Sequence, residues 1–244
     1  MHQQSSLPNP LSLLTQLTAE LHAVDDQTVE QTSARALRVV AGTLGEPITA
    51  SVTRRRGTSA GVTIGHSHDD ALRVDAVQYQ TNSGPCLDAA DFAAMSVVDD
   101  LASEDRWPEF RSGVTDLPVH AVLSLPLAPV GVPQTSLNFY SAEPGLFRGS
   151  LLEIAHLAAA GVALVLTAAE HRAHSQHLAR ALSSNRRIGA AVGILMAQLR
   201  TNEERAFEVL RTASHHKNKK LRAVAEDVLR SHANRGRAPA GRPG

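Results

Sequence analysis

The side chains with the clearest chemical potential form a row of cations and imidazoles near the C-terminus. The row is His215, His216, Lys217, Lys219, Lys220 and Arg222. Ammonium and guanidinium groups neutralise phosphates, and imidazole and guanidinium planes stack on unpaired bases. The sequence shows no phosphate-binding glycine loop and no Ser, His and Asp in the order of a hydrolytic triad. The row therefore indicates binding to a polyanion, and we do not expect an enzyme.

The charge distribution supports the same interpretation. The chain of 244 residues has no net charge, but residues 1–170 carry 9 Lys and Arg against 19 Asp and Glu, a net charge of −10. Residues 171–244 carry 15 against 5, a net charge of +10. Such a split favours a basic module that seeks a polyanion, joined to an acidic module that does not. The alternative is that the basic residues only keep a helical tail soluble.

Three amphipathic segments must position the basic row. Their apolar residues recur at helical spacing and are Ile188, Val192, Leu195 and Leu199, then Ala206, Phe207, Leu210 and Ala213, then Leu221, Val224, Val228 and Leu229. Thr201 and Asn202 stand where a helix N-cap belongs, and Asn218 offers a turn before the third segment. The pattern predicts a three-helix bundle, with these apolar faces, Phe207 included, forming its core.

Three blocks in this region resemble a known family. IGAAVGILMAQ, AFEVLRTAS and NKKLRAVAEDV are similar, in order and spacing, to the ANTAR domain, a three-helix RNA-binding module of bacterial transcription antiterminators. The sequence departs from that pattern at Ala190 and Val192, where many members carry Gln and Lys. The resemblance implies a stem-loop target in a transcript leader and antitermination if binding stabilises a hairpin that competes with a terminator.

The residues that we expect to contact RNA lie at the start of the first helix and around the second turn. They are Arg187, Ser214, His215, Asn218, Lys219, Lys220 and Arg222. Sequence-specific RNA readers usually recognise unpaired loop bases, and here the stacking candidates are His215, His216 and the arginines. Whether the two regions adjoin depends on how the helices pack. For each basic residue taken singly, a solvated surface position is an equally good explanation.

The first two thirds of the chain alternate between helical and strand patterns. Helices are expected within 11–44, with a break at Asp25 and Asp26, and over 86–94, 107–114 and 150–169. Strands are expected at 48–54, 61–64, 96–99, 120–127 and 135–140. Residues 69–79 fit either a helix or a connection. A central set of antiparallel strands with flanking helices is an α+β fold.

Five blocks of this region carry a second resemblance. GPCLDA, VVDDL, DRWPEF, VLSLPL and SLNFYS are similar, in that order, to the GAF domain, and in particular to GAF domains that are fused to ANTAR modules in actinobacteria. The resemblance covers roughly residues 25–169. It implies a sensory module with a small-ligand pocket between the sheet and its helices, so an unidentified small molecule is an expected partner. Many members form dimers.

The connector between the two regions has the spacing of a coiled-coil seam. No proline occurs from residue 150 to 199, and steps of three and four place Leu178, Ala181, Asn185 and Ile188 on one face. Asn at such a position fixes register in two-stranded coiled coils. The seam therefore predicts a parallel homodimer. The alternative is that Ile188 packs only inside the bundle and Asn185 is an exposed boundary residue.

Other reactive side chains offer little chemistry. Cys86 is the only cysteine, which excludes an internal disulfide and a multi-cysteine zinc site, and we expect it to be a small buried residue rather than a redox-active thiol. His66 and His68 with Asp69 and Asp70 lack the spacing of a metal site, so a polar loop is the better interpretation. No motif supports haem ligation by His120. We expect no cofactor and no metal.

The sequence thus predicts an α+β GAF sensor, a long helix and an all-α bundle. The expected segments are 1–24, partly disordered; 25–169, the GAF domain; 170–184, a coiled-coil connector; 185–232, the ANTAR domain; and 233–244, a disordered tail. We expect a cytoplasmic protein without a membrane segment. Two other functions stay open: a DNA-binding repressor that uses the bundle as a helix-turn-helix, and a ligand-sensing interaction module whose basic tail serves solubility.

Overall fold

The computed structural model describes residues 9–22, 27–57, 59–127 and 134–236. The chain divides into two compact units, Met1–Ala173 and His174–Gly244. Residues 1–8 of the predicted N-terminal segment and 237–244 of the predicted disordered tail lie outside the described residues, as does the predicted break at Asp25 and Asp26. Residues 10–22 are a helix that packs into the first unit. Residues 233–236, predicted to be disordered, continue the last helix, so the prediction is wrong for them.

The first unit is built on a five-stranded antiparallel sheet. The strands are β1 (Ile48–Arg54), β2 (Val62–His66), β3 (Ser96–Val98), β4 (Ala121–Leu127) and β5 (Thr135–Ser141). Their order across the sheet is β2-β1-β5-β4-β3, and every pairing is antiparallel. All five strands predicted from the sequence are present, and the α+β fold is confirmed.

One face of the sheet is apolar and is covered by helices α1 (Pro10–His22) and α2 (Val29–Leu44) and by the first part of α6 (Gly149–Leu199). Leucines of α1, alanines and valines of α6 and the inward side chains of the strands share one core with no exposed members. A capping box starts α2, because Thr28 and Gln31 each accept a hydrogen bond from the other's backbone N–H.

The opposite face is covered by α3 (Asp69–Thr81) and α4 (Pro85–Phe92), with α5 (Pro108–Gly113) beside them. Residues 69–79, which the sequence left between helix and connection, are therefore helical. Strand alternation explains the difference between the two faces, because successive side chains point to opposite sides of a sheet. Ser51 and Thr53 of β1 point towards α3, whereas Ala50 and Val52 enter the apolar core.

Helix α6 is continuous for 51 residues, so the predicted connector is helical and no break separates it from its neighbours. Its first part packs on the sheet, and Glu170 forms an ion pair with Arg54 at the end of β1. By length and composition α6 is the one helix among the described residues that could cross a membrane. Less than half of that apolar stretch is buried within the structure.

The second unit is a three-helix bundle, as predicted. The end of α6 packs against α7 (Glu203–His216) and α8 (Leu221–Gly236) through a small apolar core. That core comprises Ala191, Val192, Ala206, Leu210, Val224 and Ala225. Asn202 is the N-cap of α7, since its side chain accepts a hydrogen bond from the backbone N–H of Arg205, 3.0 Å away.

Candidate nucleic-acid interface and sensor cleft

The bundle brings basic side chains from two helices to one carboxylate. Arg187 Nη1 of α6 lies 2.9 Å from Glu226 Oε1 of α8, and Arg222 Nε of α8 lies 3.7 Å from the same oxygen. Both guanidinium groups are more than half exposed. The sequence left open whether the start of the first bundle helix adjoins the α7–α8 turn region. These contacts show that the two regions are neighbours.

The adjacent residue, Asp227, gathers two more cations. Lys219 Nζ lies 3.4 Å from Asp227 Oδ2, and Arg230 forms an ion pair with the other oxygen. Hydrogen bonds from Arg230 and then Lys219 hold the pKa of Asp227 below its ordinary value of 3.8. Arg187, Lys219, Arg222 and Arg230 thus surround one acidic pair and are called the basic cluster below.

The turn between α7 and α8 carries the remaining predicted RNA contacts. Asn218 has a left-handed backbone conformation (φ 48°) and donates its N–H to the His215 carbonyl, 3.1 Å away. Ser214 donates its hydroxyl to the Lys219 carbonyl, which fixes the turn to the end of α7. His215, Asn218 and Lys220 are exposed. The seven predicted residues thus lie in the last turn of α7, in the turn that follows it, or in contact with the acidic pair, while RNA binding by them stays a prediction.

Phe207 was predicted to lie in the bundle core, and this is wrong. Its side chain is 38% exposed and is absent from the core cluster. The buried side of α7 is narrow, with Ala206 and Leu210 fully buried, because the small unit offers only one inward stripe per helix. His216, the other stacking candidate, lines a surface groove with Arg205 and Val209 on α7.

The first unit contains a buried network of polar side chains between the sheet and α3. Asp75 of α3 is fully buried and accepts hydrogen bonds from Ser51 Oγ (2.9 Å), Thr63 Oγ1 (2.7 Å) and the Tyr140 hydroxyl. Within the described residues it has no cationic partner. Burial raises the pKa of Asp75 to about 6, although the hydroxyl donors oppose the shift.

The polar network continues across three strands. Ser124, Asn138 and Ser51 are register partners on β4, β5 and β1, and all three side chains are buried. Asn138 donates to Ser51 Oγ and Thr53 Oγ1, but its own Oδ1 and the Ser124 hydroxyl have no partner among the described residues. Unpaired buried polar atoms are uncommon in folded proteins, so these two atoms are the unsatisfied groups of the network.

The Gln78 side chain links the polar network to α4. Its amide donates to the Tyr140 hydroxyl (3.0 Å) and accepts from the backbone N–H of Cys86 (2.9 Å). The resemblance implied a ligand pocket between the sheet and its helices, but none of the residues of this network was singled out from the sequence. The signal of the network was the period-two alternation of β1 and β5, ITASVTR and TSLNFYS, which places Ser, Thr, Asn and Tyr on one face of two central strands.

Comparison with known proteins identifies both units. Residues 176–229 match the ANTAR domain. The second unit is an ANTAR domain. The first unit has the GAF fold: solved structures that superpose on it include the GAF domain of an Acinetobacter phosphoenolpyruvate-protein phosphotransferase, which is 11% identical with a TM-score of 0.51 and covers 71% of this chain and 99% of its own. The chain therefore joins a unit of GAF fold to a region that matches the ANTAR domain, in the order that the sequence predicted.

Two further structures share the GAF fold. The phycocyanobilin-bound GAF domain of a cyanobacterial phytochrome is 14% identical, with a TM-score of 0.51, over 68% of this chain and 98% of its own. The free methionine-R-sulfoxide reductase of Neisseria meningitidis is 13% identical, with a TM-score of 0.52, over 70% of this chain and 98% of its own. No curated protein matches the full sequence.

The predicted seam residues lie on the helix that opens the ANTAR domain. Leu178 is 52% exposed, and Ala181 and Asn185 are exposed as well, whereas Ile188 packs against the bundle core. Three of the four therefore face solvent in a single chain. Contact between two copies through these residues stays a prediction.

Two other predictions concern the GAF-fold unit. Cys86 is fully buried, as expected, and burial followed by the nearby Asp75 charge raises the pKa of its thiol. His66 Nε2 lies 3.5 Å from Asp69 Oδ1, and His68 pairs with Asp70. The predicted polar loop is wrong, because His66 ends β2, His68 is the N-cap of α3, and both aspartates lie in its first turn. Within the described ranges, no three His, Cys, Asp or Glu side chains are grouped to hold a metal ion.

Proposed function

We propose that the protein is an RNA-binding transcription antitermination regulator. Its ANTAR domain binds a stem-loop in a transcript leader, and its GAF-fold domain senses the signal that controls this binding. The observation that carries the proposal is the basic cluster around Glu226, where cations from α6, from the α7–α8 turn and from α8 lie on one exposed surface.

The surface suits a hairpin loop. Arg187, Lys219 and Arg222 are about half exposed and free to exchange a carboxylate for a phosphate. His215 and the guanidinium planes supply flat groups for unpaired bases. Regulation through an RNA-binding surface needs no catalytic group, and we infer that the chain acts as a regulator rather than as an enzyme.

The buried polar network around Asp75 and Asn138 is our candidate for the sensing site. A polar ligand there would meet the unpaired Asn138 Oδ1 and Ser124 hydroxyl and the Asp75 carboxylate. Ligand binding would change RNA affinity only if it favours one of two states of the protein over the other. The signal is therefore a small polar molecule that binds these two states with different affinity.

We further propose a parallel homodimer through Leu178, Ala181, Asn185 and Ile188. The exposed leucine and the 3–4 spacing support this seam, with Asn185 as the residue that fixes register. A doubled ANTAR surface would engage two neighbouring loops, so dimerisation and RNA affinity should rise together.

A gel-shift comparison of hairpin RNA with duplex DNA of equal charge tests the proposed function. We expect the full-length protein to bind the hairpin more tightly, with an affinity that falls steeply as salt rises. Stronger binding to duplex DNA would favour the repressor alternative. If the protein binds neither hairpin RNA nor duplex DNA at low ionic strength, the proposal is overturned. The basic residues would then serve only the solubility of the protein.

A further inference from the structure

A surface cavity of about 570 Å³ lies at one end of the sheet in the GAF-fold unit. Its walls come from the end of α2, the first residues of β1, the start of α3 and the residues at the end of β5. Protein pockets that hold small organic ligands have volumes of roughly 300–1,000 Å³. Asp75 and Asn138, at the centre of the buried polar network, do not line this cavity, so it is a separate site.

Two opposite charges without partners border the cavity. Arg38 lies in the last two turns of α2, and Glu46 follows the end of that helix; both are exposed. Among the described residues neither side chain has an ion-pair or hydrogen-bond partner, and the two do not pair with each other. A guanidinium group binds a carboxylate through two parallel hydrogen bonds, and a carboxylate binds an ammonium group. The cavity therefore offers one group for each charge.

The end of the cavity near Glu46 suits a positive charge. Helix α2 ends at Leu44, and the carboxyl end of a helix attracts cations. Asp70 of α3 also lines the cavity, but Arg73 Nη1 lies 3.3 Å from its Oδ1 and offsets its charge. Glu46 is therefore the carboxylate that remains available to an ammonium group.

The rest of the wall contains apolar side chains and one link to the buried polar network. Pro47, Ile48 and Pro118 give the cavity an apolar surface that a hydrocarbon side chain can contact. Tyr140 lines the cavity as well, and its hydroxyl donates to the Asp75 carboxylate inside the network. A molecule in the cavity therefore contacts a residue of the proposed sensing site.

We propose that this cavity binds a small zwitterion of the amino-acid class, with its carboxylate on Arg38 and its ammonium group on Glu46. A simple anion would meet Arg38 but be repelled by Glu46, and a simple amine would meet the reverse arrangement. A ligand with both charges pairs with both groups, as charge complementarity requires. The site requires no nucleic acid and therefore goes beyond the proposed RNA function.

The first test uses the full-length protein and the common free amino acids, added one at a time during thermal unfolding. A ligand that binds only the folded state raises Tm, and we expect at least one amino acid to do so. Its dissociation constant is then compared with those of its N-acetyl form, which lacks the ammonium group, and its amide, which lacks the carboxylate. Each derivative should bind about tenfold or more weakly, because it loses one charge-assisted contact.

The second test assigns each charge of the ligand to a residue. Arg38→Gln and Glu46→Gln should each raise the dissociation constant of the amino acid about tenfold or more. Arg38→Gln should also remove the preference for the amino acid over its amide, and Glu46→Gln the preference over its N-acetyl form. Arg56→Gln and Glu109→Gln are the matched controls, since both residues are exposed and lie outside the cavity. They should leave the affinity unchanged.

Several outcomes would overturn the proposal. One is that no amino acid raises Tm, and another is that Arg38→Gln and Glu46→Gln both leave binding unchanged, which would place the ligand elsewhere. Equal affinity for the N-acetyl form would show a site for carboxylates alone, and equal losses in the control variants would show a general effect of charge. Hairpin RNA binding is measured separately without amino acids, so its failure is distinguishable from failure of this site.

Discussion

Arg187 and Arg222, from different helices of the ANTAR domain, contact the same oxygen of Glu226, at 2.9 and 3.7 Å. Like charges approach so closely only because the carboxylate between them offsets their repulsion. The same carboxylate opposes phosphate binding, because it adds a negative charge to the surface that we assign to RNA. Glu226 therefore both organises and weakens the proposed interface.

We expect Glu226→Gln to tighten hairpin RNA binding by roughly three- to tenfold at low salt, because removing a carboxylate from the basic cluster removes a repulsion towards phosphates. The amide keeps the size of the side chain and still accepts a hydrogen bond from either guanidinium. The measurement is the dissociation constant by gel shift or fluorescence anisotropy.

Glu208→Gln is the matched control for this variant. Glu208 forms an exposed ion pair with Arg211 at 2.9 Å on α7, away from the cluster, and its neutralisation should change affinity far less. A loss of affinity in Glu226→Gln would mean that the orientation of Arg187 and Arg222 matters more than the repulsion.

Removing an individual cation that contacts phosphate should change the salt dependence of RNA binding. Arg187→Ala, and separately Lys220→Ala, should weaken binding and reduce the slope of log K against log salt by about one for each phosphate that is no longer neutralised. Arg211→Ala removes an exposed cation outside the cluster and should leave the slope unchanged. Equal slopes in all three variants would place the RNA elsewhere on the protein.

The sequence was sufficient for the strands and most helices of this fold, but not for the proximity of Arg187 to the helix that follows the α7–α8 turn. Asn202, Asn218 and the apolar periodicity mark the ends of the bundle helices, since caps and turns depend on local chemistry. The role of Glu226 could not be predicted, because it depends on how far α6 lies from α8. Periodicity gives the face of a helix but not the residues of its neighbours.

The buried polar network around Asp75 and the exposure of Phe207 are two further features that the sequence did not predict. Asp75 is one acidic residue among 24 in the chain, and only the packing of α3 on the sheet shows that it is buried. Phe207 has the spacing of a core residue, yet a core of alanines, valines and one leucine is complete without it. Whether an apolar side chain at the border of a helix face is buried depends on the width of the neighbouring helices.

Two glycines of the GAF-fold unit should respond in opposite ways to alanine. A Cβ on Gly65 of β2 would lie 2.5 Å from Ser33 Cβ and 3.0 Å from the backbone nitrogen of Ala34, so α2 would have to move. We expect Gly65→Ala to lower the free energy of unfolding by about 1–3 kcal/mol. Gly42 of α2 has open space, and Gly42→Ala should raise that free energy by about 0.5–1 kcal/mol.

Urea unfolding of the two variants provides the measurement. The comparison is internal, because both substitutions add one methyl group to the same domain. Equal effects would show that α2 does not pack closely against β2 at Gly65.

The Cys86 thiol should be unreactive in the native protein. It is fully buried, and burial raises its pKa, so the reactive thiolate is both scarce and inaccessible. We expect an aromatic disulfide reagent, whose thiolate product is coloured, to modify Cys86 only at the rate at which the protein unfolds locally or globally. In denaturant the modification should be immediate. The exposed thiol of Leu72→Cys is the control that reports normal reactivity. Rapid modification of the native wild type would instead point to a redox-sensing role.

The Asp75 carboxyl should make the stability of the GAF-fold unit depend on pH. Because its pKa rises from 3.8 to about 6 on folding, the folded state binds this proton more tightly than the unfolded state. The resulting contribution is fully present below about pH 4 and is lost as pH rises to about 6. The size of the pKa shift corresponds to a pH-dependent contribution of roughly 3 kcal/mol to the free energy of unfolding.

Asp75→Asn removes this titration while keeping a side chain that accepts hydrogen bonds from Ser51 or Tyr140. We therefore expect the difference in unfolding free energy, variant minus wild type, to grow in favour of the variant between pH 4 and pH 6 and to stay constant above. Working with the difference cancels the other carboxyl groups, which both proteins share. Asp69→Asn, which removes an 89% exposed carboxylate of the same helix, is the control and should give a flat difference. If the difference for Asp75→Asn is also independent of pH, the Asp75 carboxyl is not desolvated. Water would then reach the polar network around it.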